Sequence, residues 1–579
     1  MARAQRLNLL HRLTPVRLEE QARLPVLTSP LKTPSSNARL SRLDHAAPIR
    51  SRAADEGNIQ IPLWSVPLVL VVLYICLFSG LGALGLVTPD EPRYAAIARA
   101  MAETHDWVTP RLWGTPWFEK PVLYYWTAGA AMRVFGVSEF AARLPSALVA
   151  LLAVLATAWT ALRSYGIGAA WYALLMLPTS VAMIGFARAA SPDMLFAGLL
   201  TAAMAVACEM LQKPRPGPLL RIAFGFFLGA AVLAKGPAAV ILAGGATLLW
   251  AALSRQWRAS FRFLHPLIIA VFCVTALPWY ILCALRNPDF LRVFIWQHNF
   301  QRYLTPVFEH RQPFWFFAYI LIVALVPWIV VFFASIFRIK PKADWAYSPS
   351  LFLASWSVFI ILFFSLSQSK LPGYILPAIP PLFVLLGREV ARSLEQGGRS
   401  TAWQMGAAGF IFLALAGLLA EPTLRAARLV RINDFRNFGA ALFIAIGGGL
   451  SVLVLSWLKR PRTAFIGIVL LMIALLEISN VGILPQVNHL ISSRELANTI
   501  LSQGQSATNV AEYKLPRSWD YGLHFYFGKE LKEWTPEMPQ PDWIITTPQA
   551  ALEIHDQGIR IQEVKHISPP TIILLHAMR

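Results

Sequence analysis

The chain has 579 residues, of which 56% are hydrophobic and only 14% are charged, and its mean hydropathy is +0.52. Soluble proteins carry about 25% charged residues, so this composition excludes an ordinary soluble globular protein. The net charge of +20 is typical of basic cytoplasmic loops in contact with anionic lipid, and we expect no nucleic-acid partner. All four cysteines lie inside apolar stretches, so we expect no disulfide and no thiol chemistry.

Residues 1–60 are rich in Arg, Ser and Pro and contain no apolar run of spanning length. They predict a basic, disordered cytoplasmic leader or a start-site artefact. A secretory signal is not indicated, because no apolar core of the right length follows the charges. An Arg-rich leader also suits an organelle transit peptide, although acids such as Glu19, Glu20 and Asp44 weaken that interpretation.

From residue 61 to residue 485, apolar runs long enough to cross a bilayer recur. They predict a polytopic α-helical membrane domain with about thirteen transmembrane helices. The runs are 62–87, 140–162, 166–186, 193–212, 219–235, 237–254, 265–285, 314–337, 349–367, 371–390, 402–420, 437–457 and 464–484.

The charges of the connecting loops indicate an orientation. With the leader inside, every inner loop is basic and nearly free of acids, as the positive-inside rule requires. These loops carry, among others, Arg163, Lys213, Arg255, Arg338, Arg399 and Lys459. An odd number of spans then places the C-terminus outside, so in a bacterial inner membrane the C-terminus would face the periplasm.

Residues 486–579 have the pattern of a small soluble α/β domain on the outer face. Strand-like runs occur at 509–513, 543–547 and 571–575, and a helix-like run occurs at 493–503. No glycine-rich nucleotide-binding motif accompanies them.

The first outer segment, residues 88–139, begins with two adjacent acids at the end of a membrane span. Asp90 and Glu91 precede Pro92, an arrangement typical of a helix start, and the following apolar face predicts a helix lying in the membrane interface. Taken alone, Asp90 is more simply a helix cap. Charge at membrane depth is costly, however, and usually marks a functional site.

Several motifs lie in and after this segment; the block 88–126 is highly specific, whereas Lys-Gly-Pro alone would be a weak signal. The motifs are Asp90-Glu91-Pro92-Arg93-Tyr94-Ala95, Asp106-Trp107-Val108-Thr109-Pro110, Phe118-Glu119-Lys120-Pro121-Val122-Leu123-Tyr124-Tyr125-Trp126, Ser191-Pro192-Asp193, Lys235-Gly236-Pro237, His298-Asn299-Phe300-Gln301-Arg302 and Ser369-Lys370-Leu371-Pro372-Gly373-Tyr374. In this order, over residues 61–530, the chain resembles the bacterial transferases that attach aminoarabinose to lipid A. These belong to the GT-C glycosyltransferases, with the protein O-mannosyltransferases as relatives. Trp117 departs from the pattern, where a tyrosine is expected.

The resemblance implies a GT-C fold at the inner membrane, a donor of undecaprenyl phosphate carrying 4-amino-4-deoxy-L-arabinose, and a lipid A phosphate as acceptor. Carboxylates stabilise the oxocarbenium-like state of glycosyl transfer. The second pKa of a phosphate ester is about 6. The attacking phosphate is therefore already anionic and needs little base catalysis. We assign Asp90 and Asp193 as catalytic carboxylates. Substrate binding is assigned to Glu91, Arg93, Lys120, Lys235, Asn299, Arg302, Lys370 and Tyr374.

Purely structural roles are an alternative for some of these residues. Asp193 can be a first-turn acid behind a Ser191 cap, and Tyr374 can be an interfacial anchor. The outer arginines Arg425, Arg428, Arg431 and Arg436 can be a solvated face or can attract lipid A. The resemblance alone suggests a divalent metal ion bound by Glu119 and His298, and two ligands make a weak site.

Two other functions stay open. Another GT-C enzyme could move mannose or galacturonic acid from a polyprenyl donor to protein or glycan. A lipid-linked sugar transporter or flippase is the second alternative, but it should carry ionisable groups near the bilayer midplane. The notable charges here lie at span ends on one side.

Overall fold

The computed structural model describes residues 65–305, 311–338, 348–429, 436–539, 541–556, 561–567 and 572–577. The leader, residues 1–60, and Arg431 lie outside the described residues, as do the side chains of Arg425 and Arg428. The described chain is predominantly helical, which confirms the predicted polytopic α-helical fold class.

Eight helices in the described ranges are long and apolar enough to cross a membrane, and the count rises to ten if each of two bent pairs is one span. Three shorter apolar helices occupy further predicted runs. Each of the thirteen apolar runs therefore contains a helix, while the number thirteen itself stays a prediction. The long helices are Glu139–Tyr165, Pro192–Gln212, Pro218–Lys235, Pro266–Arg286, Pro372–Glu395, Arg399–Leu429, Arg436–Trp457 and Pro461–Ile491, and the short ones are Ser65–Leu77, Ala238–Ser254 and Pro349–Ser365.

Two predicted spans are broken. The run 166–186 forms helices Ile167–Met176 and Val181–Ala187 at 62°, and the run 314–337 forms Phe316–Ala324 and Ile329–Phe337 at 115°. Each break contains a proline, Pro178 or Pro327, which lacks the N–H needed to continue a helix. At the first break, Ser180 caps the second helix by accepting from the Met183 amide.

The first predicted span, 62–87, is helical only to Leu77. Gly80 adopts a φ of 69°, a left-handed conformation that ends the regular helix. Beyond it, Arg143 donates to the carbonyls of Leu81, Leu84 and Gly85. Irregular backbone at this depth is tolerated where protein groups satisfy it.

Helix Pro192–Gln212 is the centre of the bundle, because its most apolar stretch is completely buried. It packs antiparallel against Pro218–Lys235. The N-terminus of the first helix and the C-terminus of the second consequently meet at one side of the membrane domain.

The segment between the first two spans forms a layer at one end of the membrane domain. This end is the outer one in the predicted orientation, and we call this segment the outer layer. It contains helices Asp90–Thr104 and Leu123–Phe135 and a hairpin of β1, Arg111–Leu112, with β2, Thr115–Pro116. The predicted apolar face of Asp90–Thr104 is buried: Tyr94, Ile97, Ala98 and Met101 are each at most 4% exposed. A π-helix, Arg292–Gln301, continues into the turn Arg302–Leu304 on the same side.

The C-terminal region is a five-stranded mixed sheet with helices, as predicted. The strands are β3 Val510–Tyr513, β4 Lys532–Glu533, β5 Trp543–Thr546, β6 Ile561–Ile567 and β7 Ile572–Ala577. Their order is β4-β3-β5-β7-β6, with β3 parallel to β4 and β5, and β7 antiparallel to β5 and β6. Helices Arg494–Ser502, Arg517–Phe527 and Pro548–Asp556 accompany the sheet.

This domain is tied to the outer layer by side-chain hydrogen bonds. Tyr526 donates to Glu139 at 2.8 Å and accepts from the Leu86 amide at 2.9 Å. Arg494 donates to two carbonyls after the first helix and lies 3.3 Å from the Glu139 carboxylate. Helix Arg517–Phe527 therefore lies directly over helix Asp90–Thr104.

Candidate active site

Glu119 is the centre of an ion-pair cluster at the outer end of the membrane domain. Its carboxylate lies 3.1 Å from Arg93, 3.2 Å from Lys120 and 3.4 Å from Arg302. Burial opposes its ionisation, but these three cations hold the pKa of Glu119 well below its usual range. Glu119 is only 10% exposed in its side chain, so the adjacent Glu119 and Lys120 are not a solvated surface pair.

Asp193 and Lys235 form a second ion pair beside the first. The two side chains approach to 2.5 Å where helices Pro192–Gln212 and Pro218–Lys235 meet. The Lys235 ammonium lies 4.9 Å from the ring centroid of Tyr374, a cation–π distance. A Cβ added at Gly373 would lie 2.6 Å from the Asp193 carboxylate, so only glycine lets this backbone approach so closely.

Lys120 and Arg302 connect the Glu119 cluster with the ion pair of Asp193 and Lys235, so that both form one site. Both cations act electrostatically on the Asp193 carboxylate, and Arg302 also hydrogen-bonds the Tyr374 side chain. Burial lowers the pKa of Lys120 although Glu119 opposes the shift. The assembled site holds four cations against three carboxylates, an excess of positive charge that suits a phosphate. Its members are Asp90, Arg93, Glu119, Lys120, Asp193, Lys235 and Arg302.

Neither of the two proposed catalytic aspartates acts as a side-chain cap. Helix Asp90–Thr104 has Pro89 at its N-cap and no side-chain cap bond, and the Asp90 carboxylate instead lies 2.6 Å from Arg93. Asp90 is 53% exposed, whereas its partner Arg93 is 14% exposed. At the other helix, Ser191 is the N-cap and accepts from the Asp193 amide, which leaves the Asp193 carboxylate to Lys235.

Glu91 lies beside the cluster and is engaged in contacts inside the protein. Its carboxylate accepts from Arg143 at 2.7 and 3.1 Å, from the Ala190 amide at 2.7 Å and from the Val87 amide at 2.9 Å. With Glu91 6% and Arg143 4% exposed, both oxygens are already used inside the protein. These contacts favour a structural role for Glu91, and its contact with substrate stays a prediction. Sequence reasoning missed Arg143, whose only signal is one arginine just inside an apolar run.

Lys370 and Asn299 are engaged beside the cluster. Lys370 is 7% exposed and donates to the carbonyls of Ser367 and Gln312, so it braces the loop before Tyr374. Asn299 donates to the Phe294 carbonyl at 2.7 Å, and its oxygen would lie 3.4 Å from a Cβ at Gly236, next to Lys235. Their substrate contacts stay predictions.

Glu119 and His298 fit a weakly held divalent cation in part. His298 is close enough to Glu119 for each to act on the other's ionisation, and burial lowers the pKa of His298 to about 4. The imidazole is consequently neutral near pH 7, as a metal ligand must be. The two residues supply two ligand atoms, so water or substrate oxygens would complete the shell. The metal stays a prediction.

A cavity of ≈ 470 Å³ adjoins the cluster. It is lined by Trp117, Phe118, Glu119, Arg292 and His298, among others. The aromatic and charged walls meet at Glu119, so a ligand with an apolar part and an anionic part would contact both kinds of surface.

Comparison with known proteins places the chain among membrane glycosyltransferases. Residues 63–294 match the family described as dolichyl-phosphate-mannose-protein mannosyltransferase. A relative from Edwardsiella ictaluri, an undecaprenyl phosphate-alpha-4-amino-4-deoxy-L-arabinose arabinosyl transferase, is 32% identical over 58% of this chain and 61% of its own length. A transferase of the same description from Sodalis glossinidius is 32% identical over 62% of this chain and 67% of its own. The alignment with the Edwardsiella relative thus spans less than two thirds of that protein.

The fold is also that of a solved structure. The crystal structure of ArnT from Cupriavidus metallidurans bound to undecaprenyl phosphate superposes with a TM-score of 0.71 at 24% identity, covering 89% of this chain and 97% of the other. Its apo form gives the same TM-score. At this identity the likeness establishes the GT-C fold of a multi-pass membrane protein.

Proposed function

This chain belongs to the undecaprenyl phosphate-aminoarabinose arabinosyl transferase family, and we propose on that premise that it is a membrane glycosyltransferase. The proposed reaction moves 4-amino-4-deoxy-L-arabinose from undecaprenyl phosphate to a phosphate of lipid A. It takes place on the periplasmic face of the inner membrane. The observation that carries the proposal is the cluster of four cations and three carboxylates at the outer ends of two adjacent membrane helices.

The reaction replaces one phosphate by another at the anomeric carbon of the sugar. The bond from C1 to the donor phosphate oxygen breaks, and its electron pair leaves with undecaprenyl phosphate. An oxygen of the lipid A phosphate forms the new bond to C1 from the opposite face, with inversion. Because the attacking and leaving groups are both phosphates, cations contribute more than proton transfer.

The cluster supplies a role for each kind of group. Lys120, Arg93 and Arg302 are placed to neutralise the leaving phosphate, since they already surround one buried carboxylate. Asp90 is half exposed, so it can contact an acceptor that arrives from the membrane surface. Asp193 would stabilise positive charge on the sugar ring in the oxocarbenium-like state. A divalent cation held by Glu119 and His298 would supply further positive charge.

The position of the charges argues against the transporter alternative. Asp193 opens one membrane helix and Lys235 closes its neighbour, so the pair lies at span ends. A transporter would place such groups near the bilayer midplane, between broken helices. Another GT-C transferase with a different polyprenyl donor remains the main competitor.

Lipid A from a bacterial host lacking its own aminoarabinose transferase provides the test. We expect mass spectrometry to show the added sugar when this chain is expressed, and no addition with an Asp90→Asn variant at equal membrane level. A sugar of another mass on lipid A, or on protein, would replace the proposed donor or acceptor. Unmodified lipid A at normal membrane level of the wild-type chain would refute the proposal.

A further inference from the structure

A second cluster of chemical groups lies in the C-terminal domain, away from the proposed active site. Glu512 projects from strand β3, while Asp520 and His524 lie four residues apart on helix Arg517–Phe527, a spacing that places them on one helix face. Among the described residues, these three are the only group of three His, Cys, Asp or Glu whose ligand atoms all lie within 4.8 Å of one another.

The cluster is buried and its polar atoms are poorly satisfied. His524 is 4% and Glu512 8% exposed. Each ring nitrogen of His524 lies 3.2 Å from a carboxylate oxygen, Nε2 from Glu512 and Nδ1 from Asp520. Neither contact has hydrogen-bond geometry, and both ring nitrogens together with Glu512 Oε2 and Asp520 Oδ1 are buried without a hydrogen bond. Four such buried atoms on three neighbouring side chains need an explanation, of which a bound ion is one.

The charge balance favours a divalent cation. A protonated His524 between two carboxylates would leave one buried negative charge, whereas a divalent cation with a neutral imidazole would leave none. The Glu512 and Asp520 carboxylates each lie 3.2 Å from a nitrogen of the same buried imidazole ring, so their negative charges repel each other. An ion between them would remove this repulsion.

We propose that Glu512, Asp520 and His524 bind a divalent transition-metal ion, with Zn²⁺ as the representative probe. One imidazole with two carboxylates is a ligand set that Zn²⁺ accepts, at bonds of about 2.0–2.2 Å. The imidazole disfavours Mg²⁺ and Ca²⁺, which prefer oxygen ligands. Three protein ligands leave a fourth position for water.

The site lies at the contact between the C-terminal domain and the active-site layer. The Trp113 ring packs edge-on against His524 at 5.0 Å between centroids. Trp113 belongs to the turn between β1 and β2, and the chain continues from β2 directly to Glu119 and Lys120. The bound ion would fix the His524 ring and thereby support the hairpin that precedes these two residues.

Zinc binding by the full-length, detergent-purified chain tests the proposal independently of its enzymatic activity. The test uses a His298→Gln background, because this change removes the histidine of the candidate metal site at Glu119 and His298. After treatment with EDTA and its removal, we expect this protein to bind one Zn²⁺ per chain and to unfold at a higher temperature with Zn²⁺ than without. Adding His524→Gln should weaken the affinity by roughly 100-fold or more, beyond the 10- to 100-fold cost of changing an outer partner.

Two further variants complete the test, one as a control and one as a second change of a ligand. Adding His555→Gln, at an exposed histidine of the same domain, should leave the stoichiometry unchanged. If the His524 variant does not fold, Asp520→Asn changes a less buried ligand and should weaken zinc binding in the same way. Equal zinc binding with and without these ligand changes, or no zinc bound in the His298→Gln background, would overturn the proposal.

Discussion

At the scale of single residues, Asp90 and Asp193 lie in the first turns of two different helices without capping them. Asn and Asp cap helices about equally well, so a capping role would survive replacement by Asn. Both carboxylates are instead paired with cations of the site, Arg93 and Lys235. Replacing Asp by Asn therefore distinguishes the two roles, because Asn can cap a helix but cannot supply the negative charge.

We predict that Asp90→Asn and Asp193→Asn insert normally but fail to modify lipid A. Asn keeps the shape of the side chain and loses the charge that the oxocarbenium-like state requires. Mass spectrometry of lipid A, with membrane levels checked by immunoblot, measures both properties. The matched control is Asp556→Asn, at an exposed helix end of the C-terminal domain, which should behave as wild type. Full modification by either variant would remove that aspartate from the site.

Lys120 gives a second prediction at this scale. Lys120→Ala should reduce the transfer rate by roughly 100-fold or more, because it removes a cation aimed at the leaving phosphate in a site shielded from water. The variant protein should accumulate to a near-normal level. A comparison with Lys514→Ala, which breaks a surface pair with Glu553, separates this effect from general loss of charge. Undiminished transfer by Lys120→Ala membranes would contradict the clamp.

At the scale of elements, the buried pair of Glu91 and Arg143 joins several segments. Arg143 reaches from helix Glu139–Tyr165 to the irregular chain after the first helix, while Glu91 binds the amide of Ala190 before helix Pro192–Gln212. The start of helix Asp90–Thr104 is thereby fixed relative to the helix that carries Asp193. The pair therefore links the helix starts at which the two aspartates lie, and we expect it to act by holding them in place.

Glu91→Gln should therefore act on stability more than on chemistry. Breaking a buried ion pair leaves an uncompensated charge and costs about 3–5 kcal/mol, so we expect a lower membrane level and a lower unfolding temperature. Glu103→Gln is the control, since Glu103 forms only an exposed pair with Arg99 and should cost under about 0.5 kcal/mol. A Glu91→Gln protein with wild-type stability and no transfer would support the substrate-binding assignment.

Elements also show where sequence reasoning reaches its limit. Hydropathy found the positions of the membrane helices because long apolar runs can face only lipid or the protein interior. It could not single out the bends near Pro178 and Pro327, because prolines such as Pro145 and Pro278 also lie inside helices that continue unbroken. Of the C-terminal strands, β4 has two residues and β6 carries several polar residues, so neither shows the apolar alternation by which β3, β5 and β7 were predicted.

At the scale of the whole molecule, the orientation of the chain in the membrane is a prediction from the charges of its loops. An alkaline phosphatase reporter, active only outside the cytoplasm, should be active when fused after residue 579 and inactive when fused after Gly397, which lies in a basic inner loop. The asymmetry of Lys and Arg between the loops is the physical reason. Activity at Gly397 and none after residue 579 would invert the topology.

The sequence named the candidate residues of the site, but it did not predict which of them contact one another. Motif resemblance named Glu119, Arg302 and Lys235, yet the convergence of residues more than 180 positions apart, such as Glu119 and Arg302, depends on helix packing that no local pattern encodes. The cover formed by helix Arg517–Phe527 was missed for the same reason. Its Tyr521 ring lies 5.9 Å from the Arg93 guanidinium, a contact visible only in three dimensions.

The surplus of one positive charge in the cluster, four cations against three carboxylates, bears on the lipids that surround the protein. An ordinary anionic phospholipid carries a single negative charge and is far more abundant in a bilayer than any sugar donor. Such a headgroup would neutralise the cluster and compete with the donor for it. We therefore predict that the apparent KM for the donor rises in vesicles enriched in phosphatidylglycerol. A cell that makes its inner membrane more anionic would slow this reaction without changing the protein.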